Sequence, residues 1–379
     1  MKSPLRVSLF TVTFGMVVLG AGLLSADTIH QNSQTRPVQL GTSGGNINDR
    51  SSMWCCSGTL GALVNVDGTQ YVLSNNHVLA RTNAGVAGDA ITQPGLIDEN
   101  PVCARQPTDA VAYLTKFVPI NFKKGTSNTV DAAIAQVAPG AVDPTGKILG
   151  IGNVGAPVPP ALNMAVQKSG RTTGVTAGTV AATSVTISVK YGSQCGGGRG
   201  TGNFKNQIRI TPGTFSDGGD SGSLIVTTGT SPQAVGLLFA GGTNDTFANP
   251  IQAVLDAFGA SMVADSGGFK RWFARLLPSV ARAQAASPSG PVHPGSQAAA
   301  EHAKERNERA LLAIQGVVGV GVGVSETVAG EAVVEVYVEK ATPAVRSVVP
   351  GHVDGVPVKV VETGEIKARG TEKDGCLPR

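Results

Sequence analysis

Ser216-Asp217-Gly218-Gly219-Asp220-Ser221-Gly222-Ser223 is the densest chemical signal in the chain, and it runs straight into the apolar Leu224-Ile225-Val226. Glycines around a serine let the backbone turn tightly. The amides of Gly219 and Ser221 can then point inward at an oxygen that develops negative charge. A bare Gly-Asp-Ser-Gly string also occurs as a surface turn, so the serine needs a base before it reads as a nucleophile. Ser74-Asn75-Asn76-His77-Val78-Leu79-Ala80 supplies one, because it follows the apolar Tyr71-Val72-Leu73 and sets His77 at a strand end. The other histidines, His30, His293, His302 and His352, fall outside the segment of short strands. A turn-stabilising role is the bland alternative for His77. Two aspartates that each precede an apolar strand are open as the acid: Asp109 before Ala110-Val111-Ala112, and Asp131 before Ala132-Ala133-Ile134-Ala135.

From about 38 to 260 the chain alternates short apolar runs with Gly, Asn, Asp and Pro, the pattern of an all-β sandwich or barrel. Fifty glycines in 379 residues, with only 15% charged residues, favour turns over helical surface. Tight turns are expected at Val66-Asp67-Gly68 and Tyr191-Gly192. A closing helix is expected over 250–258, with Ile251, Val254, Leu255 and Phe258 on one face. A hydrophobic content of 41% excludes wholesale disorder. The net charge of +4 is too slight to imply a nucleic-acid partner.

Along the chain the order is His, acid, Ser. Hydrolases of the α/β type run Ser, acid, His, and subtilisins run Asp, His, Ser, so the order selects a double β-barrel. Residues about 38–260 resemble the trypsin-like (chymotrypsin-fold) serine peptidases. Cys56-Ser57-Gly58-Thr59-Leu60 with Asn76-His77-Val78-Leu79 is similar to the segment leading to that family's catalytic histidine. Asn128-Thr129-Val130-Asp131-Ala132-Ala133-Ile134-Ala135 resembles its aspartate strand, which ranks Asp131 above Asp109. Lys168-Ser169-Gly170-Arg171-Thr172-Thr173-Gly174 is similar to a second-barrel hairpin of secreted bacterial members, and Gly219 to Ser223 to the serine loop. Phe239-Ala240-Gly241-Gly242 resembles the strand beside the specificity pocket. Gly236 to Ile251 is most similar to bacterial relatives of the plant narrow-leaf protein, to which a small C-terminal module like this one is attached.

The resemblance implies a mainly β chain: a double six-stranded β-barrel (chymotrypsin-like) plus a small C-terminal α+β module. It also implies a serine endopeptidase acting on a polypeptide substrate without metal or cofactor. His77 would be the base, Asp131 its orienting acid and Ser221 the nucleophile, with the Gly219 and Ser221 amides as oxyanion hole. Phe215 would floor the side-chain pocket and Ala240, Gly241 and Gly242 would wall it. With no carboxylate at that floor, apolar or small side chains are favoured over Arg and Lys. Three departures carry consequences. Phe239 stands where many members have a Ser that bonds the aspartate, which implies another donor or a less well-tuned triad. No Ile-Val-Gly-Gly activation site precedes the barrel, so Asp220 is expected to find an internal partner. Cys56 stands at a family disulfide position whose usual partner position is Val78, so Cys103 or Cys195 is expected to serve. The rival reading is a catalytically impaired peptide-binding scaffold of the same fold.

The ends of the chain place it. Lys2 and Arg6 precede an apolar run over 7–26, and polar sequence begins at Asp27. Residues 1–26 read as a secretory signal peptide, with an uncleaved membrane anchor as the alternative. Either way the remainder is exported, secreted or periplasmic, where Cys55, Cys56, Cys103, Cys195 and Cys376 are expected to pair with Cys376 left over. No cysteine or histidine pair has zinc-ligand spacing. Residues 261–297 hold a basic amphipathic stretch, Lys270, Arg271, Arg275 and Arg282 among Trp272, Phe273, Leu276 and Leu277, and then a Pro/Ser/Gly linker. A linker helix packed on the barrel is favoured there over peripheral membrane association, which Pro278 weakens. Residues 298–370 form the α+β module. Its helices are expected over 298–315 and 343–349, with Thr342 as N-cap of the second, and its strands over 317–324, 331–339 and 356–361. The module is expected to contact the peptidase domain, and its Val/Gly strands to carry no ionisable cluster.

Overall fold

The computed structural model describes residues 26–192, 197–263, 291–368 and 370–374. The N-terminal apolar run up to residue 25, the basic stretch at 267–286, Cys195 and Cys376 lie outside the described residues.

Strands β1 (Thr42–Asn46), β2 (Trp54–Leu60), β3 (Ala62–Val66), β4 (Thr69–Ser74), β5 (Ala90–Thr92), β6 (Ala110–Phe117) and β7 (Ala133–Val137) form the first barrel. Gly61 alone separates β2 from β3, so the two are halves of one bent strand. The β2 half pairs with β1 and the β3 half with β4. The remaining pairs run β4–β7–β6–β5–β1 and close a ring of six. The bend is forced at Gly61, where a Cβ would lie 1.8 Å from the Gly222 carbonyl oxygen. The β3–β4 hairpin turns at Asp67 (φ 49°) and Gly68 (φ 83°), as expected from its sequence.

The second barrel follows from β8 (Gly155–Pro157), which lies alongside it, through β9 (Ala165–Gly170), β10 (Gly174–Tyr191), β11 (Gly200–Thr211), β12 (Leu224–Thr227), β13 (Gln233–Gly241) and β14 (Thr246–Pro250). Its order β11-β14-β13-β12-β9-β10 closes because β10 also pairs with β11. The chain is therefore mainly β, a double six-stranded barrel. Tyr191-Gly192 is not a tight turn: β10 ends at Tyr191, β11 begins at Gly200, and Tyr191 is buried. Inward alternation of Val185, Ile187, Val189 and Tyr191 carries the tyrosine into the core instead of a loop tip. The helix Ile251–Phe258 buries Ile251, Val254, Leu255 and Phe258 in the core of the first barrel, and β15 (Ser261–Met262) then pairs with β3.

The C-terminal module opens with the helix Pro294–Leu312, which starts inside the stretch expected as linker because Pro is accommodated at a helix's first turn. Strands β16 (Val317–Val324), β17 (Ala332–Val338), β18 (His352–Val353) and β19 (Val356–Glu362) follow, with the helix Pro343–Val348 capped by Thr342. The module does not stand apart. β16 pairs antiparallel with β10, so its sheet continues that of the second barrel. Nor do its strands lack charge. Glu335 of β17 is buried and accepts from Arg209 of β11 at 2.9 and 3.1 Å, and Arg209 also donates to Asp245 at 2.6 Å. Glycines on β16 leave the room: a Cβ at Gly323 would meet Glu335 and one at Gly321 would meet Tyr337. After Glu362 the chain returns to the barrels as β20 (Lys367–Ala368) and β21 (Thr371–Asp374).

Removing Glu335 leaves the buried Arg209 paired with Asp245 but strips two charged hydrogen bonds from its guanidinium. Glu335→Ala is expected to destabilise the chain by about 1.5–3 kcal/mol, measured by denaturant unfolding.

Candidate active site

His77 sits in a single helical turn, Asn76–Leu79, at the end of β4, and is buried. Its Nδ1 lies 2.6 Å from Asp131 Oδ2, and its backbone N–H donates to Asp131 Oδ1 at 3.2 Å. Asp131 precedes β7 and has no exposure at all. Its amide donates to Asn249 at 3.0 Å and its carbonyl accepts from Asn75 at 2.7 Å, so the backbone that carries it is held on both sides. Asp109 lies elsewhere, in a 3₁₀ turn before β6, where it neighbours Glu99.

Sequence reasoning missed Tyr191. Its hydroxyl donates to Asp131 Oδ2 at 2.8 Å. Burial first, and then the adjacent Asp131 charge, push this phenol well above its ordinary range, so it stays protonated and donates. A donor from the second barrel thus serves Asp131 where Phe239 offers none. The inward alternation along β10 was the available signal.

The serine loop is held from below. Asp220 is fully buried, 3.4 Å from Lys168 Nζ, and accepts from the amides of Thr172, Thr173 and Asp217 and the Thr173 hydroxyl. Lys168, also fully buried, donates to the Gly174 carbonyl at 2.9 Å and to Thr173. Gly219 takes a positive φ of 98°, which lets the turn present its amide. Among the described residues neither the Gly219 nor the Ser221 amide has a partner. The Ser221 hydroxyl donates to the Phe239 carbonyl at 3.1 Å. Among the described residues His77 Nε2 is buried without a hydrogen bond. The structure therefore joins His77 to Asp131 while the Ser221 hydroxyl points to β13.

Of the expected pocket residues, Phe215 is displaced. It has no exposure and packs with Val180, Ile210 and Leu238 in the second barrel's core, because its ring is pressed against Gly178, where a Cβ would lie 2.7 Å away. The nearby depression, about 540 Å³, is bordered by Thr214, Ser216, Asp217, Gly242 and Thr243. The acidic residue Asp217 is among those that border it. Ala240 and Gly241 lie at the end of β13. A larger cleft of about 910 Å³ is lined by Ser57, His77, Tyr191, Gly218, Lys367 and Gly370.

Cys103 bonds to Cys55 rather than to Cys56. Successive side chains of a strand face opposite ways, and Cys55 is the one turned toward Leu96, Ile97 and Cys103. Cys56 is disulfide-bonded as well. Arg171 of the β9–β10 hairpin makes a two-pronged ion pair with Asp98 of the first barrel at 2.6 and 2.7 Å. Next to it, burial and then the charges of Asp109 and Asp98 raise the Glu99 carboxyl to about 7.

No family model and no curated protein matches this chain. Solved structures similar to it include a glutamic acid specific serine protease that uses a histidine triad in substrate binding (22% identity, 59% of this chain and 100% of that one, TM-score 0.40). Thermobifida fusca protease A is 20% identical over 59% of this chain and 98% of that one (TM-score 0.37). An alpha-lytic protease homolog, N4, is 22% identical over 58% of this chain and 97% of that one (TM-score 0.38).

Lys168→Met leaves Asp220 charged in the interior without its cation, and is expected to cost about 3–5 kcal/mol in denaturant unfolding. Glu99 binds its proton more tightly folded than unfolded, so its contribution is fully present below its ordinary value and is lost as pH rises to about 7. Thermal melts of Glu99→Gln are expected to lose the part of the wild type's decline between pH 5 and pH 8 that this carboxyl causes.

Proposed function

We propose that the protein is an exported serine endopeptidase, related in kind to the bacterial relatives of the plant narrow-leaf protein. The observation that carries the reading is the His77–Asp131 contact at 2.6 Å, reinforced by Tyr191, in a cleft that the serine loop borders. With Nδ1–H donated to Asp131, the lone pair of His77 sits on Nε2. Rotation of Ser221 about its Cα–Cβ bond, from one staggered position to another, releases the Phe239 carbonyl and turns Oγ toward that nitrogen.

Oγ then attacks the substrate carbonyl as its proton passes to Nε2. The oxyanion takes hydrogen bonds from the Gly219 and Ser221 amides, each typically worth about 3–4 kcal/mol. The tetrahedral intermediate expels the amine, which leaves with the proton from His77. Water, deprotonated by His77, attacks the acyl-enzyme, and the proton returns to Ser221 as the acid departs. The Cys55–Cys103 disulfide supports an oxidising compartment.

A fluorophosphonate probe is expected to label wild type and not Ser221→Ala; folded wild-type protein that stays unlabelled would leave the binding-scaffold reading in its place. Tyr191→Phe keeps the ring and loses the donor. Since a hydrogen bond to a charged group is worth about 1.5–3 kcal/mol, kcat/KM on a peptide substrate is expected to fall about tenfold to a hundredfold.

A further inference from the structure

The segment after β19 is built into the cleft. Thr363 is fully buried, and its carbonyl accepts from the Thr243 amide at 2.8 Å while pressing on Gly242, where a Cβ would lie 2.1 Å from it. Ile366, only 2% exposed, sits in the aromatic core with Tyr191, Phe204 and Phe239, and its carbonyl accepts from the Lys190 amide at 2.9 Å. β20 then lies antiparallel on β13, Lys367 opposite Gly241 and Ala368 opposite Ala240. Gly370 passes the imidazole: a Cβ built on it would lie 3.4 Å from His77 Cδ2 and 3.7 Å from Nε2. β21 continues antiparallel on β2 of the other barrel, Thr371 opposite Ser57 and Asp374 opposite Trp54. One extended segment thus adds a strand to the second barrel before His77 and to the first barrel after it. Strand addition at an open edge is how proteins commonly hold an extended peptide, through main-chain hydrogen bonds.

We propose that residues 363–368 and 370–374 are the resting occupant of the cleft, a polypeptide held in cis that excludes other polypeptides until it is displaced. This rests on the endopeptidase reading of the same cleft. The tail needs little intrinsic affinity, because attachment to the module keeps its local concentration in the millimolar range. The Ser221 hydroxyl, turned to the Phe239 carbonyl, matches a site at rest.

Proline within either added strand removes a ladder donor and cannot pair as before. Ala368→Pro and Thr371→Pro, made separately in the full chain, test the two halves of the contact, with thermal melts to verify the fold. Each is expected to raise the initial rate on an added fluorogenic peptide by about tenfold, as the competent fraction rises. A labelled synthetic peptide of residues 363–374 is followed by fluorescence anisotropy in the Ser221→Ala background, where binding is independent of chemistry. It is expected to bind both proline variants and not the unmodified tail. Binding of that kind without hydrolysis by any version upholds the tail's occupancy and sinks only the endopeptidase reading. Equal hydrolysis by wild type and both variants, or equal peptide binding with and without the prolines, overturns the occupancy and leaves that reading untouched.

Discussion

Thr59 ties the two barrels together at the serine loop. Its amide donates to the Ser221 carbonyl at 2.8 Å, its hydroxyl donates to the Gly219 carbonyl at 2.8 Å, and that hydroxyl accepts from the Arg171 amide at 3.0 Å. The approach is backbone against backbone. A Cβ at Gly222 would meet Ser74 Oγ at 2.0 Å and the Thr59 carbonyl at 2.3 Å. The seam sets the serine loop against β2 and against Ser74 at the end of the strand that leads to His77. The Arg171–Asp98 ion pair flanks the same seam and is partly shielded from water.

Two buried carboxylates are stabilised there in different ways. Asp131 is surrounded by the imidazole, a phenol and a backbone amide, all within hydrogen-bond reach of its carboxylate oxygens. Asp220 is set against an ammonium group and further donors, which neutralise it outright and hold the turn below Ser221. An unpaired charge in such surroundings costs several kcal/mol, so neither arrangement tolerates loss of its main partner. The same logic joins the C-terminal module to the second barrel through Arg209 and Glu335. Because β16 extends the barrel's sheet, the tail that follows β19 returns to the cleft from strands that continue that sheet.

Much of the local structure was legible. The Asp67-Gly68 turn, the four-residue face of the helix Ile251–Phe258, the Thr342 cap and strands β16, β17 and β19 all follow from periodicity and turn chemistry. His77, Asp131 and Ser221 stood out because each follows or precedes an apolar run among residues of unusual type. Tyr191 did not, since a tyrosine beside a glycine reads equally as a turn, and only the packing of β10 against the first barrel turns its hydroxyl onto Asp131. Cys55 and Cys56 are adjacent, so the sequence could not say which one faces Cys103 until the strand's pleat was known.

Composition, alternation and glycine placement by themselves determined that this chain makes short strands, tight turns and an appended α+β segment, because those properties depend on neighbours within a few residues. Tertiary structure alone decided that Lys168 answers Asp220, that Glu335 reaches Arg209 and that the last strands cross His77. Each of these joins groups dozens to hundreds of positions apart, and a contact of that kind is set by how closed sheets dock, which no local pattern encodes.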